Sequence, residues 1–134
     1  MNEQTDINEF VPNKKGSEAS ETVRLKRLAE INPTKSEVSD LNPETEISFV
    51  PLNDFGTDGE IKNTETRQLQ EVYNGYTYFR EGDIAIAKIT PSFENGKGAI
   101  CRGLMNEIGF GTTELHILRP REGVSTKFLW YVLQ

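Results

Sequence analysis

Apolar positions in this chain fall into short groups separated by polar, Gly- and Pro-containing stretches, and their spacing predicts about five strands with helices near both ends. Asp83-Ile84-Ala85-Ile86-Ala87-Lys88-Ile89 is the clearest strand. Both of its faces are apolar from Ile84 until Lys88, which predicts a central place in a sheet. Glu46-Ile47-Ser48-Phe49-Val50 alternates, and Pro51 stops its ladder. Ala99-Ile100-Cys101-Arg102 and the stretch from Thr113 to Arg119 read as further strands, the latter ended by Pro120. Tyr73 to Phe79 is aromatic and strand-prone, with Asn74-Gly75 as a turn.

Val23, Leu25, Leu28 and Ile31 are spaced for a short helix, or for a strand running into one. Asn32-Pro33 ends it, because the residue before proline is pushed out of the α region. Thr64 to Val72 is compatible with a helix or an extended arm. Ser125 is a good N-cap for a final helix with Phe128, Leu129, Val132 and Leu133 on one side. Thr34 to Pro43 reads as a polar connection, Phe55 to Gly59 as a turn, and Pro91 to Gly98 as a loop with Asn95-Gly96 at its tip. The expected fold is α+β: a twisted, mainly antiparallel sheet with short peripheral helices.

Residues 1–20 hold too few apolar side chains to offset their ordering entropy, and are expected to be a mobile polar tail. Residues 21–134 then form a single domain, a size that suits the 134-residue total. No Gly or Asn closes the final helix before Gln134, which reads either as a frayed terminal helix or as the front part of something longer, in which case the domain is incomplete.

Charge narrows the function. The formal net charge is −6. Residues 1–60 carry 6 Lys/Arg against 13 Asp/Glu, and residues 61–134 carry 9 against 8. That balance excludes a strongly basic, free-standing nucleic-acid binder. No apolar run approaches the roughly 18–20 residues of a membrane span, and the acidic start Met1-Asn2-Glu3-Gln4-Thr5-Asp6 is unlike a secretory signal. With a single cysteine, Cys101, the expected compartment is cytoplasmic.

Candidate chemistry is thin. Asp40 with Glu60-Ile61-Lys62 imitates a nuclease metal site, but the tripeptide follows the Asp58-Gly59 turn and not a stiff strand. Ile108-Gly109-Phe110-Gly111 precedes a strand and does not link strand to helix as a methyltransferase cofactor loop would. Gly96-Lys97-Gly98 lacks the Walker spacing. These glycines are read as permitting tight turns. His116 is expected to be a sheet residue and Cys101 a small hydrophobe. No catalytic residue, metal site or cofactor is expected.

Lys88-Ile89-Thr90-Pro91-Ser92-Phe93-Glu94-Asn95-Gly96-Lys97-Gly98 is more productive. A central strand delivers a loop with a lysine on either side of two hydroxyls and an amide. Lysines neutralise phosphates, while Asn, Ser and Thr reach base edges. On chemistry alone an ordinary polar hairpin loop remains the simpler reading.

The stretch Phe79-Arg80-Glu81-Gly82-Asp83-Ile84-Ala85-Ile86-Ala87-Lys88-Ile89-Thr90-Pro91-Ser92-Phe93-Glu94-Asn95-Gly96-Lys97 resembles target-recognition domains from specificity subunits of type I restriction–modification systems, which often read "gDil.akITP..eN.K" there. Gly109-Phe110-Gly111-Thr112-Thr113-Glu114-Leu115-His116-Ile117-Leu118-Arg119-Pro120 looks like the family's next segment, "G.sTe..vlrp". Leu28-Ala29-Glu30-Ile31-Asn32-Pro33 and Ile47-Ser48-Phe49-Val50-Pro51-Leu52 sit where the family has its opening element and first strand. The resemblance covers roughly residues 23–134.

This resemblance implies a non-catalytic subunit that recognises double-stranded DNA and directs methylation and restriction by its partners. Those partners would be methyltransferase (modification) subunits, a restriction/translocase subunit, and a second specificity half-subunit. The implied base-reading residues are Thr90, Ser92, Asn95 and Lys97, with Lys88 and Arg67 on phosphates. The alternative is an interaction fragment or relic of such a subunit that does not bind DNA itself. The near-neutral half from Ile61 onward is expected to face DNA, and the acidic half solvent or partners.

Overall fold

The computed structural model describes residues 24–56, 59–87 and 98–133. Residues 24–28 are helical and run directly into β1 (Ala29–Ile31), so the segment is a helix running into a strand, the reverse of the order its spacing suggests. Asn32 then turns the chain with a positive φ of 51°. Its backbone N–H donates to the Ile117 carbonyl at 2.7 Å, and its side-chain oxygen accepts from the Ile117 N–H at 2.8 Å. The amide side chain thus replaces one strand partner and pins the start of the domain.

The remaining elements are β2 (Glu46–Val50), β3 (Glu65–Gln68), α1 (Leu69–Val72), β4 (Thr77–Arg80), β5 (Ile84–Ala87), β6 (Gly98–Ile100), β7 (Ile108–Gly111), β8 (Leu115–Pro120) and α2 (Thr126–Val132). Thr64 to Val72 is both an arm and a helix, because β3 passes straight into α1. The polar connection from Thr34 contains a 3₁₀ turn, Lys35–Val38, whose Val38 is buried.

The strands form two four-stranded sheets. The first, in the order β1-β8-β5-β6, is antiparallel throughout. The second has the order β3-β2-β7-β4, with β2 and β7 parallel and its other pairs antiparallel. The architecture is α+β and mainly antiparallel, as the pattern predicts, but divided into two sheets. Periodicity reports which residues are strand-like, not which strands pair, so the division is invisible to it. β5 is internal to its sheet and all four of its residues are buried.

Packing follows three layers of apolar contact. Val50, Phe55, Phe79, Ala85, Ala99, Cys101, Leu104, Leu115 and Ile117 form a cluster contributed by both sheets. Ile84, Ile86 and Leu118 project from the opposite face of the first sheet, where Leu25 and α2 residue Leu129 cover them. Ile47, Tyr78, Ile108 and Phe110 project from the opposite face of the second sheet, under Val38, Leu69 and Val72. Each sheet is therefore covered on both sides, which explains why β8 is buried from Leu115 to Arg119 and does not alternate.

Four local expectations change. Phe55, read as part of a turn, is fully buried in the cluster between the sheets. Ile108–Gly111, read as a glycine turn before a strand, is itself β7, buried at every position. Its glycines serve packing: a Cβ on Gly109 would lie 2.2 Å from Phe79 Cε2, so the Phe79 ring occupies the space a side chain would need. In α2 the Ser125 hydroxyl accepts from the Phe128 N–H at 3.2 Å, as the cap predicts. The helix, however, packs through Leu129, Trp130 and Leu133 and leaves Phe128 and Val132 exposed. Finally, β2 lies between β3 and β7, so among the described residues strands from the acidic and the near-neutral halves share one sheet.

Gly109→Ala should lower stability by about 1–3 kcal/mol, the usual cost of overpacking a filled core. Phe79→Leu in the same chain should recover part of that loss. Denaturant melts of the two single variants and the double variant measure the coupling, and strict additivity would contradict the proposed contact.

Candidate nucleic-acid interface

Lys88, Thr90, Ser92, Asn95 and Lys97 lie outside the described residues. Their anchors are well defined. Ala87, the last residue of β5, is paired with Leu115, and Gly98, the first residue of β6, is opposite Ile86. A Cβ on Gly98 would lie 2.8 Å from the Ala85 carbonyl oxygen, so only glycine lets β6 approach β5 this closely. The Gly98 N–H donates to the Gly56 carbonyl at 3.2 Å.

Arg67 is described, and it stands on β3, an edge strand of the other sheet. It is exposed, and its guanidinium donates to Glu65 at 2.5 Å. The same group lies 5.2 Å from the centre of the Phe49 ring, which makes a T-shaped contact with Tyr76. Glu65 already neutralises part of the charge that a phosphate would meet.

At the opposite end of β5 from Ala87 lies a charged cluster that sequence reasoning did not single out. Arg119 on β8 is buried. Its Nε and Nη2 donate to the two carboxylate oxygens of Asp83 at 2.8 and 2.9 Å. Its Nη1 donates to both oxygens of Glu37 at 2.7 Å. The Tyr78 hydroxyl donates to Glu37 at 2.9 Å, and the Arg80 N–H donates to Asp83 at 2.9 Å. One guanidinium thereby joins β8 and the residue preceding β5 in the first sheet to β4 and the 3₁₀ turn on the second. A signal for it was present: Asp83 and Arg119 each put a charge beside an apolar strand, in the two strings that carry the family resemblance.

These contacts set the ionisation of the cluster. Burial alone would raise the Glu37 carboxyl. Hydrogen bonds from Arg119 and Tyr78, with the positive charges of Arg119 and Arg80, outweigh it and hold the group below its ordinary value. Burial, then the hydrogen bond to Glu37 and its charge, push the Tyr78 hydroxyl up to about 12. Burial opposes the Arg119 charge, but the bonds to Asp83 and Glu37 overcome it and raise its pKa further. Cys101 is fully buried, and burial followed by the Asp83 and Glu81 charges holds its thiol protonated. It packs as a small hydrophobe.

The other candidates are dispersed. His116 is buried on β8 opposite Ile86. Asp40 follows the 3₁₀ turn over the second sheet, while Glu60 lies in the segment beside β6 of the first. Among the described residues no group of three His, Cys, Asp or Glu side chains is placed to hold a metal ion. Also among them, no helix is long and apolar enough to cross a membrane.

The two-sheet fold is similar to that of two solved chains. The crystal structure of the HsdS subunit from Thermoanaerobacter tengcongensis matches 82% of this chain and 28% of its own, with a TM-score of 0.56 and 23% identity. A chain from a structure of complex assembly and conformational transition in a type I R-M system matches 81% of this chain and 27% of its own, with a TM-score of 0.58 and 20% identity. At those identities the likeness is one of fold. Sequence carries the relationship further. The specificity subunit of the type I restriction enzyme EcoAI from Escherichia coli is 55% identical over 102 residues, 75% of this chain. That of EcoEI from Escherichia coli is 50% identical over 105 residues, 77% of this chain. The chain is thus similar in sequence to two specificity subunits and spans 17% of the length of each. No family model matches.

Because Glu37 has a lower pKa folded than unfolded, the unfolded chain binds more protons as pH falls through the carboxylate range. The stabilisation by Glu37 is therefore present above the unfolded pKa and lost as pH falls through the folded one. Thermal melts between pH 3 and 7, on the order of the carboxylate titration range, should fall less steeply for Glu37→Gln than for the unsubstituted chain. Parallel curves would mean that the cluster does not couple to folding.

Proposed function

We propose that residues 21–134 form a DNA target-recognition domain of a type I specificity subunit, and that it directs methylation and restriction carried out by partner subunits. The observation that carries this reading is the 50–55% identity to two such subunits over about three-quarters of the chain. In this reading Thr90, Ser92, Asn95 and Lys97 read base edges, and Lys88 and Arg67 meet phosphates. The domain is not itself an enzyme. Its partners are double-stranded DNA, methyltransferase subunits, a restriction/translocase subunit and a second specificity half-subunit, in the cytoplasm.

The net charge of −6 makes the division of labour specific. Affinity for DNA without regard to sequence grows with the number of phosphates neutralised. This chain supplies little of that, so the methyltransferase subunits hold the backbone and the domain aims a few side chains at bases. A second reading, an interaction fragment that does not bind DNA, is favoured by the exposed Phe128, Tyr131 and Val132 of α2.

Gel shifts on random and selected duplexes at two salt concentrations separate the two. The bare chain should bind weakly, and sequence-selective binding should appear on adding methyltransferase subunits, with the salt slope set mainly by them. Tight selective binding by the bare chain would overturn the division of labour, and no selectivity in the assembled complex would favour the interaction fragment.

Lys97 stands between Gly96 and Gly98, where the backbone can approach a ligand closely. Lys97→Ala should cost about 1–3 kcal/mol of binding and relax specificity at one position. Sequencing of the methylated sites checks it: an unchanged target and rate would remove Lys97 from the interface.

A further inference from the structure

The strand on which residues 88–97 re-enter the sheet is held from outside as well as from within. β6 pairs with β5 through Ala99 opposite Ala85. On its other side, the Gly98 N–H donates to the Gly56 carbonyl at 3.2 Å and the Ile100 N–H to the Gly59 carbonyl at 3.1 Å. Gly59 and Ala99 form a parallel bridge. This outer segment is closed on itself by the Phe55–Ile61 bridge and by the bond from the Gly56 N–H to the Glu60 carbonyl at 3.0 Å. Gly56 and Gly59 thus accept hydrogen bonds along the outer edge of β6.

The outer segment is in turn covered by α2. Gly59 has a φ of +89°, and a Cβ there would lie 3.0 Å from Trp130 Cζ2 and 3.3 Å from Trp130 Nε1. Glycine is required twice, by the left-handed backbone and by the indole lying on it. Trp130 also packs against the cluster containing Ile84, Ile86 and Leu129, so the indole is fixed by the outer face of the first sheet. A continuous path of contact runs from α2 through the indole to Gly59, from Gly59 to Ile100, and along β6 to Gly98.

We propose that Trp130 is a positioning residue for DNA reading: by lying over Gly59 it holds the Gly56 and Gly59 carbonyls against β6, and so fixes Gly98, the described residue at which the chain rejoins the sheet. The proposal rests on the target-recognition reading given above. Trp130 touches no base in this scheme. It limits the freedom of the strand end from which base-reading side chains are presented, and pre-organisation of that kind affects discrimination between sequences more than backbone affinity.

Amide hydrogen exchange on the full 134-residue chain tests the contact path. Trp130→Leu should speed exchange at Gly98 and Ile100 by at least about tenfold while leaving Leu118 and Arg119 on β8 unchanged, as a local opening does. Trp130→Phe, whose smaller ring still reaches toward Gly59, should give an intermediate effect at the same two amides. If Trp130→Leu fails to fold, the Phe variant decides by the same local pattern. In the complex with methyltransferase subunits, the preference for the selected duplex over single-base variants should fall in the same order, with affinity for random duplex unchanged. Exchange that rises uniformly across β5 and β8, or not at all, would overturn the positioning role, as would unchanged preference alongside a local rise. If the unsubstituted chain in the complex shows no sequence preference, the target-recognition reading fails, and the exchange pattern still decides whether Trp130 controls β6.

Discussion

A buried guanidinium needs partners on every side, and that need ties the two sheets of this domain together. Arg119 satisfies it with Asp83 and Glu37, four hydrogen bonds between 2.7 and 2.9 Å. Removing one member of such a group leaves an uncompensated charge in the interior, at a typical cost of about 3–5 kcal/mol. Hydrophobic contacts between the sheets tolerate small slips, but a forked donor facing two carboxylates does not. The cluster therefore fixes the register between β4, β8 and the start of β5, the strand that carries the chain out to residue 88.

Glycine performs a second kind of fixing. Gly109 admits the Phe79 ring, Gly98 admits the Ala85 carbonyl, and Gly59 admits the Trp130 indole. In each case an absent side chain lets a neighbour come close enough to define a distance. The anchors of residues 88–97 thus rest on a rigid base made of two strands, an outer segment and an indole.

The strands with the strongest periodicity were legible in the sequence. β2 matches its expected residues, β5 is internal and apolar on both faces, and Ser125 caps α2. β7 was not legible, since Ile-Gly-Phe-Gly carries the composition of a turn and becomes a strand only because its neighbours fill the glycine sites. Phe55 was misread for a similar reason: its flanking turn residues hide a side chain that packs between the sheets. The exposed side of α2 depends on which flank meets the sheet, and a one-sided apolar pattern did not fix that. The charged cluster joins residues up to 82 positions apart, a separation over which no local pattern acts. Of the site candidates, Arg67 is on an exposed edge and paired with Glu65, and the other five lie outside the described residues.

Selection from a randomised duplex library tests the central claim most directly. The chain, assembled with methyltransferase subunits, is mixed with the library, and the bound fraction is sequenced. The account predicts enrichment of one short fixed motif, and loss of that enrichment when residues 88–97 are replaced by a Gly/Ser segment while the chain still folds and assembles. A bound pool that keeps the library's random composition, or a motif that survives replacement of 88–97, would contradict it.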